Sequence, residues 1–266
     1  MNATLEVIHN RRSVRKYDPT SLAQEEKDAI LQAAMRAPTA GNMMLYSIIE
    51  VEDQALKDKL AVSCDNQPFI AAAPYVLLFV ADYQRWMDLF AYSAAEAAAK
   101  AAGLKPRLPQ EGDLLLACCD TLIAAQNAVI AAESLGIGSC YIGDILENCE
   151  THRAMFQLPR YTLPVGLVCF GRPAAAREEV RLTRRYDRQY IVFQDRYRRL
   201  EEREIPQMLR ATTAHQFPDL SAEEGAKTFI EKLYLRKFVS DFSAEMTRSV
   251  RRWIATWVDG EESERL

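Results

Sequence analysis

LLLACCDTLIAAQNAVIAAESL, residues 114–135, is the stretch on which the reading of this chain turns. It is apolar almost all round and long enough to cross a bilayer. Asp120, Gln126, Asn127 and Glu133 interrupt it, and a membrane span tolerates such groups poorly. The reading is therefore a core helix buried on most of its sides, open to sharing with a second subunit. Gly136 supplies its stop, since glycine adopts the left-handed conformation that closes many helices.

Working outward, residues 75–81 (YVLLFVA) form a continuous apolar run of strand length that begins after Pro74. Runs of this kind are central strands covered on both faces. Residues 45–51, 139–142 and 165–171 read as further strands, and 191–193 as a last short one. Ser21 and Gln24 have the spacing of a capping box ahead of a helix that ends before Pro38. Residues 53–63 and 86–102 are helical, and 103–112 form a loop broken by two prolines. The polar stretch 201–226 reads as a linker. Residues 227–238 are helical, and Met246, Val250, Trp253, Ile254 and Trp257 place an apolar stripe on a final helix. The expected organisation is a main domain over 1–200 and a polar linker with a helical extension over 201–266.

The chain has 266 residues, 49% of them hydrophobic and 26% charged, which excludes global disorder. Its net charge of −4 makes no electrostatic case for a nucleic-acid partner. Six scattered cysteines with no C-x-x-C pair point to a reducing compartment rather than a disulfide framework. The opening, MNATLEVIHNRRS, has no apolar stretch of the secretory kind, so the expectation is a cytoplasmic protein with no membrane partner.

Three segments carry chemistry. Residues 10–17 (NRRSVRKY) hold four basic groups within six positions. If the segment is extended, Arg11, Ser13 and Arg15 point to one side. Two guanidinium forks and a hydroxyl there form a cradle for a phosphate dianion. Arg12 faces away or donates to a neighbouring part of the same ligand. A solvated basic turn has the same composition. Residues 37–44 (APTAGNMM) link a helix to a strand with small and turn-forming residues, and either cradle a flat ligand or serve as a plain connection. Residues 136–144 (GIGSCYIGD) allow close backbone approach, but no third glycine opens a helix, which rejects a dinucleotide fold.

His9, His152 and His215 lack zinc-site spacing, and neither G-x-S-x-G nor a P-loop occurs. With no nucleophile and base in evidence, the chemistry of an enzyme built on this chain belongs to a bound cofactor.

Taken in order, R-R-S-x-R near the start, A-P-T-A-x-N after the first long helix, N-Q-P-F-I-x-x-A-P before the buried strand, Y-I-G after a glycine pair and the L-P…G-x-P run at 158–173 resemble the nitroreductase (flavin reductase) family, its larger oxygen-insensitive branch in particular. The similarity covers roughly residues 4–200. It implies an α+β fold with a central mixed or antiparallel sheet flanked by helices, an intertwined homodimer, and FMN at the subunit interface. It further implies hydride transfer from NADPH or NADH to nitroaromatic, quinone or flavin acceptors by a ping-pong route. The alternatives are a flavin-storage protein of the same fold and a specialised reductase such as a dehalogenase.

By the same resemblance, Arg11, Ser13 and Arg15 would hold the phosphate and ribityl chain, and Arg12 the pyrimidine edge. Pro38, Thr39, Ala40 and Asn42 would come from the partner subunit, and Gln67 would contact the ring or ribityl. Tyr141, Ile142 and Gly143 would lie against the ring. Arg185, with Arg184 as its rival, would be a late phosphate arginine. No residue is assigned a catalytic role of its own and no metal is implied. Met43 and Met44 stand where many relatives have Gln-Pro, a departure at the loop that would meet the flavin.

Overall fold

The run at 75–81 is apolar throughout because it becomes a strand covered on both faces. In the computed structural model, which describes residues 1–174 and 182–260, the chain begins with helices α1 (Ala3–Asn10) and α2 (Gln24–Met35) and strand β1 (Tyr46–Glu50). Helices α3 (Gln54–Ser63) and α4 (Phe69–Ala72) lead into β2 (Tyr75–Asp82). Then come α5 (Gln84–Tyr92), α6 (Ala95–Ala101), the long α7 (Glu111–Ser134), β3 (Gly138–Ile142), α8 (Cys149–Phe156) and β4 (Thr162–Gly171). Helices α9 (Glu204–Gln216), α10 (Ala222–Leu233) and α11 (Asp241–Asp259) follow.

The four strands form one antiparallel sheet in the order β1-β2-β4-β3. Alternation along β2 sends its side chains to two cores. Val76, Leu78 and Val80 pack with Leu60, Ile70, Cys149, Trp253 and Trp257 from α3, α4, α8 and α11. Tyr75, Leu77 and Phe79 pack with Ile30 and Ala34 of α2 and Ala125, Ala128 and Val129 of α7. Helix α7 puts one side into the core, with ten of its 24 residues buried, but it is not covered on most sides as its sequence predicts, since Leu115, Leu116, Leu122 and Ile123 stay exposed; Gly136 closes it with φ +74°. By length and composition it also passes as a membrane span, yet Asp120 and Glu133 are buried inside the protein itself.

Several elements differ from the sequence reading. Helix α2 is capped at Ala23, whose N–H donates to the Glu26 carboxylate at 2.9 Å, rather than at Ser21. The helix expected over 86–102 breaks at Ala94, which has φ 50°. Residues 191–193 form no strand, and a 3-10 turn at Arg188–Tyr190 precedes them. The polar stretch after 201 carries α9 rather than a linker, because Leu209 and Thr213 find cover against α10 at Gly225 and Ala226.

The chain divides into two compact units. One comprises Met1–Val180 with Glu245–Leu266, the other Arg181–Ala244. The boundary therefore lies elsewhere than residue 200, and most of α11 belongs to the first unit. There Trp253 donates its indole N–H to the Leu146 carbonyl at 3.1 Å, and Trp257 meets Tyr161 edge-on at 5.8 Å. Ser249 and Thr256 complete the buried face of α11, while Ile254 of the expected stripe stays at the surface.

Candidate functional site

Helix α1 ends at Asn10, and residues 11–15 run beside β3. Ser13 bridges Ser139 in parallel, and the Val14 N–H donates to the Ser139 carbonyl at 2.9 Å. Val14 is buried so tightly over Gly138 that a Cβ there would sit 2.4 Å from its Cγ2. With Val14 turned inward, Ser13 and Arg15 are exposed. Arg11, Ser13 and Arg15 are all near enough to Cys140 to act on its thiol. Burial pushes the Cys140 thiol up. Against this act the nearby Arg15 guanidinium, the Ser13 hydroxyl and the charge of Arg11. The side-chain alternation read from the sequence is thus realised. Among the described residues neither Arg11 nor Arg15 is ion-paired to a carboxylate, and the Arg15 guanidinium lies 5.8 Å over the Phe69 ring. Two neighbouring cations with no carboxylate partner among the described residues attract an anion. Arg12 is half-buried.

The loop at 38–44 is built round Asp120 of α7. That carboxylate accepts from the Thr39 hydroxyl, from the Ala40 N–H at 3.1 Å and from the Leu45 N–H at 3.4 Å. Thr39 Oγ1 in turn accepts from the Met44 N–H at 2.8 Å, so this hydroxyl is committed to the loop. Gly41, Asn42 and Met44 all have φ between 49° and 56°, a strained turn that persists because its surroundings over-determine it. From α5, Arg85 donates to the carbonyls of Met44 and Tyr46, and the Trp86 indole donates to the Met43 carbonyl at 2.7 Å. Asp120 escapes the sequence reading, which treats it only as an interruption. A carboxylate inside an apolar helix was itself the signal.

Gln67 follows another strained turn, with Asp65 at φ 62° and Asn66 at φ 51°. Its amide N–H groups donate to the Cys64 carbonyl and to Asp144, each at 2.8 Å, which ties it to the end of the Y-I-G segment. Buried His152 braces the same region. Its Nδ1 lies 2.9 Å from the Ile145 carbonyl and its Nε2 2.8 Å from the Ser63 hydroxyl. The carbonyl can only accept, so the proton sits on Nδ1 and Nε2 accepts from Ser63. Burial lowers the His152 pKa.

Tyr141 is half-buried, and its hydroxyl donates to Gln126 at 3.5 Å. Burial pushes its phenol up and Arg11 pulls it down, so the first and third segments share a neighbourhood. Ile142 turns into the core. A Cβ on Gly143 would meet nothing within 4 Å, so the backbone there presents an open face. Arg11, Ser13 and Arg15 thus run alongside β3, which carries Tyr141 and leads at its far end to Gly143 and, through Asp144, to Gln67. Pro38, Thr39, Ala40 and Asn42 stand on the loop fixed by α5 and α7. Arg185 belongs to the second unit, where it donates to the Thr183 and Arg184 carbonyls at 3.2 and 3.4 Å. No group of three or more His, Cys, Asp or Glu side chains among the described residues is placed to hold a metal ion.

Comparison with known proteins gives a consistent result. Residues 8–172 match the profile of the nitroreductase family. The chain is 34% identical over 174 residues to the FMN reductase (NADPH) of Bacillus subtilis strain 168, an alignment covering 65% of this chain and 67% of that one. It is 30% identical over 203 residues to the oxygen-insensitive NADPH nitroreductase of Salmonella typhimurium, covering 76% and 78%. The solved structure of B. megaterium NfrA1 superposes with a TM-score of 0.71 at 27% identity, over 91% of this chain and 99% of that one. On its sequence motifs, its antiparallel sheet and these matches, the chain belongs to the nitroreductase family.

Proposed function

We propose that this protein is an FMN-dependent oxidoreductase that takes hydride from NADPH or NADH and delivers it to nitroaromatic, quinone or flavin acceptors by a ping-pong route. The observation that carries this reading is the placement of Arg11, Ser13 and Arg15 beside β3, near Cys140, with neither arginine ion-paired to a carboxylate among the described residues. That donor set fits a phosphate dianion, because two guanidinium groups and a hydroxyl supply charge-assisted hydrogen bonds. The open backbone at Gly143 leaves room for a flat ring, and the Gln67 amide oxygen accepts no hydrogen bond among the described residues. Relatives named for FMN and for NADPH support the same cofactor and donor.

When bound, the flavin supplies the hydride relay between nicotinamide and acceptor. The chain's part is to grip and orient it. Arg11, Ser13 and Arg15 hold the phosphate end, and Arg12 holds the pyrimidine edge, where positive charge favours charge developing on the ring. Tyr141, Ile142 and Gly143 back the ring.

The active form is a homodimer in which the loop at 38–42 reaches the partner's flavin. Support comes from α7, whose outer face leaves Leu115, Leu116, Leu122 and Ile123 exposed, Leu115 at 68%. So much apolar surface on one helix marks an interface. A cytoplasmic setting belongs to this reading and agrees with six unpaired cysteines.

An absorbance spectrum tests the reading. Purified protein is expected to be yellow and to bleach when NADPH or NADH is added. Colourless protein that takes up no added FMN would refute it. Bound FMN that resists both nicotinamides would make the chain a flavin-holding protein instead.

A further inference from the structure

Both hydrogens of the Gln67 amide are in use, one on the Cys64 carbonyl and one on the Asp144 carboxylate, each at 2.8 Å. The amide therefore cannot turn over, because its oxygen would then face two acceptors. That oxygen is left as an acceptor of fixed direction. The turn carrying Gln67 is strained at Asp65 and Asn66, both at positive φ, and keeps its shape only while its surroundings hold it. Gly143 precedes Asp144 at the head of a 3-10 turn, Asp144–Leu146, and its carbonyl accepts from the Leu146 N–H at 3.0 Å.

Fully enclosed His152 spans the same two segments. Its Nδ1–H donates to the Ile145 carbonyl at 2.9 Å, and its Nε2 accepts from the Ser63 hydroxyl at 2.8 Å. Asn148 adds a parallel tie, donating its side-chain N–H to the Ser63 carbonyl at 2.8 Å. Residues 63–67 and 143–148 are thus joined in a closed ring that runs through Ser63, His152, Ile145, Asp144, Gln67 and Cys64. Its outer link, Gln67 to Asp144, is half-buried and meets competition from water. Its inner link, through His152, is sealed from water and so the stronger determinant of spacing. The place at 152 needs a side chain that donates to one side and accepts from the other, and a neutral imidazole does both.

We infer that His152 is a positioning residue for the ring end of the flavin: it fixes the spacing between residues 63–67 and 143–148 and so aims the Gln67 amide oxygen and the Gly143 backbone at the bound ring. This rests on the flavin reading of the site. A residue that works in this way acts through Gln67. Its contribution to flavin affinity vanishes when Gln67 is removed, whereas its contribution to packing does not. It also serves the ring and not the phosphate, so FMN and riboflavin feel its loss equally, in contrast to the loss of Arg15.

The test is a double-mutant cycle on the full chain, with FMN and riboflavin affinities read by fluorescence titration. His152→Leu fills the space without a polar atom and is expected to weaken both flavins by roughly tenfold, the scale of one well-placed hydrogen bond. His152→Gln, which can donate and accept, is expected to restore most of that loss. In a Gln67→Ala background, His152→Leu is expected to change flavin affinity by less than about twofold while still lowering the urea midpoint. Equal affinity losses in the two backgrounds would overturn the inference and leave His152 a packing residue. A His152→Leu chain that loses FMN but keeps riboflavin would overturn it too, because the fault would then lie at the phosphate. Should His152→Leu fail to fold, Ser63→Ala, which removes the donor to Nε2, takes its place in the same cycle. Amide hydrogen exchange of the flavin-free protein gives a readout independent of the cofactor. The Asn66 and Gln67 amides, bonded to the Val62 and Ala61 carbonyls at 3.3 and 2.7 Å, are expected to exchange faster in the variant while β2 stays protected. Unchanged protection there would overturn the positioning role. Parent protein that binds neither flavin would defeat the flavin reading and with it the purpose assigned to Gln67, while the exchange result would still decide whether His152 holds the turn.

Discussion

At the scale of single residues, the cradle works by what it lacks. Arg11 and Arg15 have no carboxylate partner among the described residues, so at the proposed site an incoming phosphate would meet charge already in place. Arg15→Ala removes a charge-assisted contact of about 1.5–3 kcal/mol. FMN affinity is expected to fall more than about tenfold and riboflavin affinity to hold; equal FMN affinity in a fluorescence titration would show that residues 11–15 are not the phosphate site. Asp120 is the opposite case, a charge fully used. Asp120→Ala strands the Thr39 hydroxyl and the Ala40 and Leu45 N–H groups. Stranding such buried groups costs about 2–3 kcal/mol, which a shift in the urea midpoint at constant slope will measure.

His152 makes a pH prediction. Its pKa is lowered first by burial, opposed by the Ile145 and Glu147 backbone groups, and it is neutral in the native state. The unfolded chain therefore binds the proton more readily. Stability is full above the unfolded value of about 6.5 and is lost as pH falls below it towards the folded value. Melting temperature is expected to drop between about pH 7.5 and about pH 5.5, and to drop less in His152→Gln. Identical pH curves for the two proteins would remove His152 from the account.

At the scale of elements, the basic segment earns its direction from a strand it does not formally join. One parallel bridge and one buried valine hold residues 11–15 against β3, and glycine at 138 makes the approach possible. Gly138→Ala would drive a methyl group into Val14. The expected outcome is a folded protein with weakened FMN binding, read by circular dichroism alongside titration. Helix α11 is an element of the core rather than an appendage, since Trp257 is fully buried there. Trp257→Ala is expected to cost about 3–5 kcal/mol, checked by denaturant unfolding. Deletion from residue 245 onward removes the same packing and so unfolds the first unit instead of merely weakening assembly.

At the scale of the whole molecule, the outer face of α7 is the surface proposed for assembly. Leu116 and Leu122 are exposed there. Leu122→Glu is expected to shift the sedimentation coefficient from dimer to monomer and to lower flavin content with it, because the loop at 38–42 would lose its partner. A wild-type protein that sediments as a monomer would contradict the shared site.

Much of this was legible in the chain alone, and the reason is periodicity and local chemistry. The continuous apolar run of β2 requires cover on both faces, and the long apolar helix with Gly136 behind it requires a core position; both are properties of neighbouring residues. Alternation likewise placed Arg11, Ser13 and Arg15 on one side. Tertiary structure alone decided the rest, because it joins residues far apart in sequence. Asp120 meets Thr39 across 81 positions, and Asn148 meets Glu245 across 97. Cys140 meets Cys169 only because β3 lies beside β4 in that register. Polar groups within a hydrophobic stretch carry no mark of the partner they will find, since hydrogen bonding acts over ångströms of space and is indifferent to distance along the chain.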